Sequence, residues 1–134
     1  MTQTEQPKKV LVVDDDDAIR TMVERVLRRE KFHVESARDG HEAIEKLSQN
    51  DYGTIVLDLM MPRVDGLGVL RFLETSRPES ARSVIVMTAN IHGAEEAAQT
   101  KPIFRVVSKP FDIRQLVRHV QECVSTSTGD TVAC

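Results

Sequence analysis

The sequence predicts an α/β fold, a doubly wound parallel sheet of five strands flanked by five helices. Three observations predict it. Short apolar runs alternate with helical patterns five times along the chain, which is the signature of repeated strand–helix units. The first, third and fourth runs are continuously apolar, as strands covered on both faces are. The chain has 134 residues, of which 40% are hydrophobic, enough for one buried core and too few for two.

The first strand is expected at Val10 to Val13. Ile19, Met22, Val23, Val26 and Leu27 then fall on one stripe of a helix that ends near Lys31. A weaker strand from His33 to Ala37 and a helix from about His41 to Leu47 lie on either side of Gly40. The third strand is Thr54 to Leu57. After Met61, Pro62 and Gly66 a helix carries Leu67, Leu70 and Leu73, and Pro78 marks a loop. Val84 to Met87 forms the fourth strand and leads to a short polar helix around Ala94 to Gln99. The fifth strand, Ile103 to Val107, precedes a helix bearing Ile113, Leu116, Val117, Val120 and Val124. Disorder is expected from Ser125, which places one domain at 7–125 with flexible tails at 1–6 and 126–134.

Polar residues set the strand order. His33, Glu35 and Ser36 put the second strand at one edge, and Arg105 and Ser108 put the fifth at the other. Right-handed crossovers then give the order 2-1-3-4-5, the flavodoxin-like arrangement, with a topological switch point between strands one and three. Sheets of this kind bind ligands at the carboxyl ends of the strands near that point.

Four strands deliver chemistry to that edge: the first ends in Asp14, Asp15, Asp16 and Asp17, the third in Asp58, the fourth in Thr88 and the fifth in Lys109. Two like charges ~4 Å apart repel by about 4 kcal/mol at an effective dielectric of 20, so Asp14, Asp15 and Asp58 call for a positive partner. A hard divalent cation such as Mg2+ meets that need, because it takes a few carboxylates, keeps waters and bridges to phosphate oxygens. Asp58 is then a carboxylate nucleophile for a phosphoryl group, with Lys109 neutralising its oxygens and the Thr88 hydroxyl donating to one of them. Asp16 and Asp17 suit the cap and first turn of the helix. Pro62 and Gly66 are read as a turn that shapes the loop after Asp58.

The segments Val10 to Asp15, Leu57 to Pro62 with Asp65 and Gly66, Val86 to Ala89, and Ser108 to Phe111 together resemble the response-regulator receiver family over about residues 8 to 124. The resemblance implies that Asp58 is the phosphoacceptor and that Asp15 and Asp58 bind the metal directly. It further implies that Asp14 binds through water, that the Met60 backbone carbonyl completes the protein ligands, and that Thr88 and Lys109 contact the phosphoryl group. A cis peptide between Lys109 and Pro110 is implied as well, with a histidine kinase or histidine phosphotransfer protein as donor and a protein as downstream target. Receivers commonly carry a tyrosine or phenylalanine three residues before the lysine of strand five, and Val106 stands there in this chain. Phe104, two residues earlier, is expected on the same face of that strand. Thr100, Lys101 and Pro102 replace the usual small residues before it.

Two other readings compete. Haloacid-dehalogenase-type phosphatases use an Asp-x-Asp pattern at the end of strand one, which Asp14 to Asp16 match, but that reading leaves Asp58 and its loop without a role. A receiver-shaped module that binds partners without phosphorylation is the second. The net charge of −3 speaks against direct nucleic-acid binding, and the longest apolar runs are too short for a membrane span. A cytoplasmic switch rather than an enzyme is expected, with no output domain after the last helix, so that its output is protein contact or phosphorelay. Cys123 is read as a core residue and Cys134 as a free thiol without a prenylation pattern. Arg20, Arg25, Arg28, Arg29 and Lys31 are read as a solvated face of the first helix, and His33, His41, His92 and His119 as surface residues.

Overall fold

The computed structural model describes residues 9–59, 66–89, 103–109 and 112–127. Five parallel strands form one sheet in the order β2-β1-β3-β4-β5: β1 (Lys9–Val13), β2 (His33–Ala37), β3 (Thr54–Asp58), β4 (Val84–Thr88) and β5 (Arg105–Ser108). The described helices are α1 (Asp17–Arg29), α2 (Gly40–Gln49), α3 (Gly66–Ser76), α4 (Pro78–Ala81) and α5 (Ile113–Ser127). Every residue of β3 and β4 is buried, as the continuous apolar runs predict, and the polar strands β2 and β5 are the edges.

Because side chains alternate along a strand, each central strand feeds two cores. Leu11, Val13, Ile55, Leu57, Val84 and Val86 pack with Leu47 of α2 and with Val69, Leu70 and Leu73 of α3. Val10, Val12, Val56, Ile85 and Met87 pack with Val23 and Leu27 of α1 and with Leu116 and Val120 of α5. Burying each of these side chains is worth roughly 1.5–3 kcal/mol relative to exposure, which fixes the register on both faces. Cys123 lies in the second core, where burial pushes its thiol pKa up.

Three expectations change. The loop expected at Pro78 is the short helix α4, in which proline occupies the first turn, where its missing N–H leaves no bond unmade. The final helix continues through Ser127, past Ser125. The last strand starts at Arg105 rather than Ile103, because the chain bends at Phe104, whose amide donates to the Val84 carbonyl at 2.8 Å. That bend breaks the alternation. Val106 packs against the core shared with α2 and α3, whereas Phe104 packs against the core shared with α1 and α5, so the two do not share a face. The helix expected at Ala94 to Gln99 lies outside the described residues.

The end of α1 holds a left-handed residue. Lys31 has φ 73°, its amide donates to the Arg28 carbonyl at 2.9 Å, and the Phe32 amide donates to the Leu27 carbonyl at 3.2 Å. This is a Schellman closure, and Phe32 packs in the same core as Leu27. A side chain at such a φ costs about 1–2 kcal/mol, part of which glycine returns through its freedom in the unfolded chain. Lys31→Gly is therefore expected to raise the unfolding free energy by about 1 kcal/mol in urea denaturation.

Candidate functional site

The parallel register brings the polar strand ends to one edge. Val13 pairs with Leu57, and Asp58 with Met87, which sets Asp14, Asp58 and Thr88 side by side. Ladder bonds extend past the strands: the Asp14 amide donates to the Ala37 carbonyl at 3.2 Å, and the Lys109 amide donates to the Thr88 carbonyl at 2.9 Å. Both flanking residues are thus positioned by backbone, not only by their side chains.

Asp14, Asp58 and Thr88 are buried. Carboxylate oxygens of Asp14, Asp15 and Asp58 all lie within 4.8 Å of one another. The Lys109 ammonium donates to Asp14 Oδ2 at 2.9 Å and to Asp58 Oδ2 at 3.1 Å. Burial alone would depress the lysine pKa, but its hydrogen bonds to Asp14 and Asp58 and the charges of both outweigh that and raise it. Among the described residues, Asp14, Asp15 and Asp58 set against the Lys109 ammonium carry a net charge of −2 when all are ionised. The donors are all hard oxygens, and a net −2 is matched by the charge of a divalent cation, so these residues fit Mg2+.

The loop behind these acids is tightly held. Asp16 caps α1, accepting from the Ile19 amide at 3.1 Å, while its own amide donates to Asp14 Oδ1 at 2.9 Å. Asp17 is the first residue of the helix. After Asp58, the Gly66 amide donates to the Leu59 carbonyl at 3.1 Å. Gly66 is therefore the first residue of α3 rather than part of a free turn, and a Cβ there would lie 2.5 Å from Leu59 Cα and 2.7 Å from the Asp58 carbonyl oxygen.

The strand-end residues expected from the sequence, Asp14, Asp15, Asp58, Thr88 and Lys109, thus share one edge. Met60, with its backbone carbonyl, and the Lys109–Pro110 peptide involve residues outside the described ones, as do His92 and Cys134. Two sequence readings of the surroundings fail. Arg20 does not belong to the solvated face of α1: its guanidinium donates to the Asp14 carbonyl at 2.8 Å and pairs with Asp17. Its three-residue spacing from Asp17 was the available signal. His119 is half-buried rather than superficial, with a buried Nδ1 3.6 Å from Glu122. His33 and His41 are exposed as expected.

A family profile described as the response regulator receiver domain matches residues 10–121. The transcriptional regulatory protein SrrA of Staphylococcus aureus is 33% identical over 130 residues, covering 92% of this chain and 51% of that protein. The chain thus spans about half the length of the curated relatives it matches. The receiver domain of Francisella response regulator 1452 superposes with a TM-score of 0.82 at 29% identity, covering 90% of this chain and 98% of that one. Response regulator TrrA of Thermotoga maritima, solved in complex with Mg2+ and BeF, gives a TM-score of 0.77 at 28% identity, covering 87% of this chain and 98% of that one.

Proposed function

The chain belongs to the response regulator receiver family of two-component signalling, and from that premise we propose that it is a switch that accepts a phosphoryl group on Asp58 beside a bound Mg2+ ion. Receiver domains are signalling domains rather than enzymes, and they exchange phosphoryl groups with histidine kinases or phosphotransfer proteins. The observation that carries the proposal is the buried Asp14–Lys109–Asp58 bridge with Asp15 alongside. A haloacid-dehalogenase-type phosphatase using Asp14 is set aside by the family match.

In the proposed step an Asp58 carboxylate oxygen attacks the phosphorus of a phosphohistidine, the P–N bond breaks, and the imidazole leaves with its electron pair. Little covalent chemistry is required of the protein, so positioning and charge stabilisation dominate. Lys109 draws to the transferring oxygens, and the buried Thr88 hydroxyl donates to one of them. Asp15 and Asp58 would hold the ion directly, Asp14 through water and the Met60 carbonyl from the loop. The ion supplies Lewis-acid neutralisation of the phosphoryl charge. No described helix is long and apolar enough to cross a membrane, and we place the switch in the cytoplasm, with a downstream protein as its target.

Acetyl phosphate tests the metal requirement without a kinase. Because metal neutralisation is worth several kcal/mol of transition-state stabilisation, excess chelator is expected to slow labelling by about a hundredfold or more. Undiminished labelling in chelator would remove the metal from the mechanism. Val106, an aliphatic residue packed at the core edge where receivers commonly carry an aromatic, favours one second reading, a module whose partner binding ignores phosphorylation. Partner affinity unchanged by a beryllofluoride mimic would support that reading over the switch.

A further inference from the structure

Asp14 and Asp58 are each held by the Lys109 ammonium, and Asp14 also accepts from the Asp16 amide. Asp15 differs. Its side chain is exposed, and among the described residues no hydrogen bond or ion pair holds its carboxylate. Its place beside Asp58 therefore depends on the backbone that carries it, above all on the peptide joining Asp14 to Asp15. Among the described residues, that peptide has one anchor from outside the loop. Arg20 Nη1 donates to the Asp14 carbonyl at 2.8 Å, and Nη2 of the same planar fork donates to Asp17 Oδ1. The Arg20 side chain is only 13% exposed, and its own amide donates to the Asp16 carbonyl at 2.9 Å. One arginine, fixed at its backbone and at both ends of its fork, thus closes the loop from Asp14 to Asp17.

We infer that Arg20 is a positioning residue for the metal site: by clamping the Asp14 carbonyl it aims the otherwise unheld Asp15 carboxylate at the ion. This rests on the metal reading proposed above. The sign of the effect separates the inference from simple electrostatics. Arg20 is a cation beside a cation site, so through charge alone its removal tightens Mg2+ binding. Through positioning, its removal loosens binding, as the loss of groups that orient metal ligands does.

Calorimetric titration of the full chain with MgCl2 tests the inference. The native protein is expected to bind, and Arg20→Ala to bind about tenfold more weakly. Arg20→Lys is expected to recover part of the loss, since an ammonium reaches one acceptor and not both. In an Asp15→Asn background, where the aimed ligand is already impaired, Arg20→Ala is expected to change the dissociation constant by less than about twofold. Equal or tighter binding by Arg20→Ala, or an equal loss in both backgrounds, would overturn the inference while leaving the metal reading intact. No binding by the native chain would overturn both. If Arg20→Ala does not fold, the same cycle run with Arg20→Lys decides the question: a loss that vanishes in the Asp15→Asn background supports positioning, and no loss, or one that persists there, overturns it.

Discussion

Lys109→Ala is expected to lower the unfolding free energy by about 3 kcal/mol in metal-free buffer, because it takes the ammonium away from two buried carboxylates that it bridges. The Lys109 side chain is 16% exposed, and it bridges Asp14 and Asp58, whose side chains are 0% and 5% exposed. The vacated volume contributes less than the charge, since the lysine head group lies among polar atoms. Saturating Mg2+ is expected to stabilise the variant more than the native protein, because the ion replaces the missing positive charge as well as adding its own. Phosphorylation-dependent partner binding is expected to be lost even where labelling persists, since in the proposed switch it is the Lys109 ammonium that couples the phosphoryl group to β5. Urea denaturation with and without Mg2+ measures the first two effects. A variant as stable as the native chain without metal would show that the carboxylates do not depend on Lys109.

Gly66→Ala is expected to destabilise by about 2 kcal/mol although alanine is the better helix former. Propensity favours alanine by about 1 kcal/mol. Against it, the new Cβ would meet Leu59 Cα at 2.5 Å, the Asp58 carbonyl oxygen at 2.7 Å and Leu59 Cδ2 at 2.7 Å. Two of those are backbone atoms of Asp58, the proposed acceptor, and the residue after it, and overpacking of this kind costs about 3 kcal/mol. The start of α3 must then move away from Asp58, so the rate of labelling is expected to fall along with stability. Thermal unfolding and acetyl phosphate labelling of the same sample check both. Unchanged stability would mean that the chain after Leu59 gives way at no cost.

How far these features were legible in the sequence depended on what kind of signal each left. β1, β3 and β4 announced themselves as continuous apolar runs, and the polar residues of β2 and β5 gave away the edges, so the strand order followed. The strand-end residues were legible for the same reason: once the sheet is parallel, Asp14, Asp58, Thr88 and Lys109 must share an edge. Contacts with backbone left no such trace. The spacing of Arg20 from Asp17 hints at their ion pair, but nothing in the polar stretch of α1 marks its bond to the Asp14 carbonyl or sets it apart from Arg25 or Arg29 in that respect. The close approach of Gly66 to Leu59 reads as an ordinary turn glycine. The helix α4 buries only Ser80 and Ala81, too little apolar content to reveal a period. Phe104 was assigned to the face of Val106 by a two-residue spacing, but that spacing holds only within a strand, and the chain bends at Phe104.

The most direct test of the whole account is to find which carboxylate carries the phosphoryl group. The protein is labelled with acetyl phosphate in Mg2+ and reduced with borohydride, which converts an aspartyl phosphate to homoserine, and the peptides are then mapped by mass spectrometry. Homoserine at position 58, absent from a folded Asp58→Asn variant and absent when Mg2+ is chelated, is the predicted result. Homoserine at Asp14 or Asp15, or labelling that survives in Asp58→Asn, would contradict the assignment of Asp58 as the acceptor.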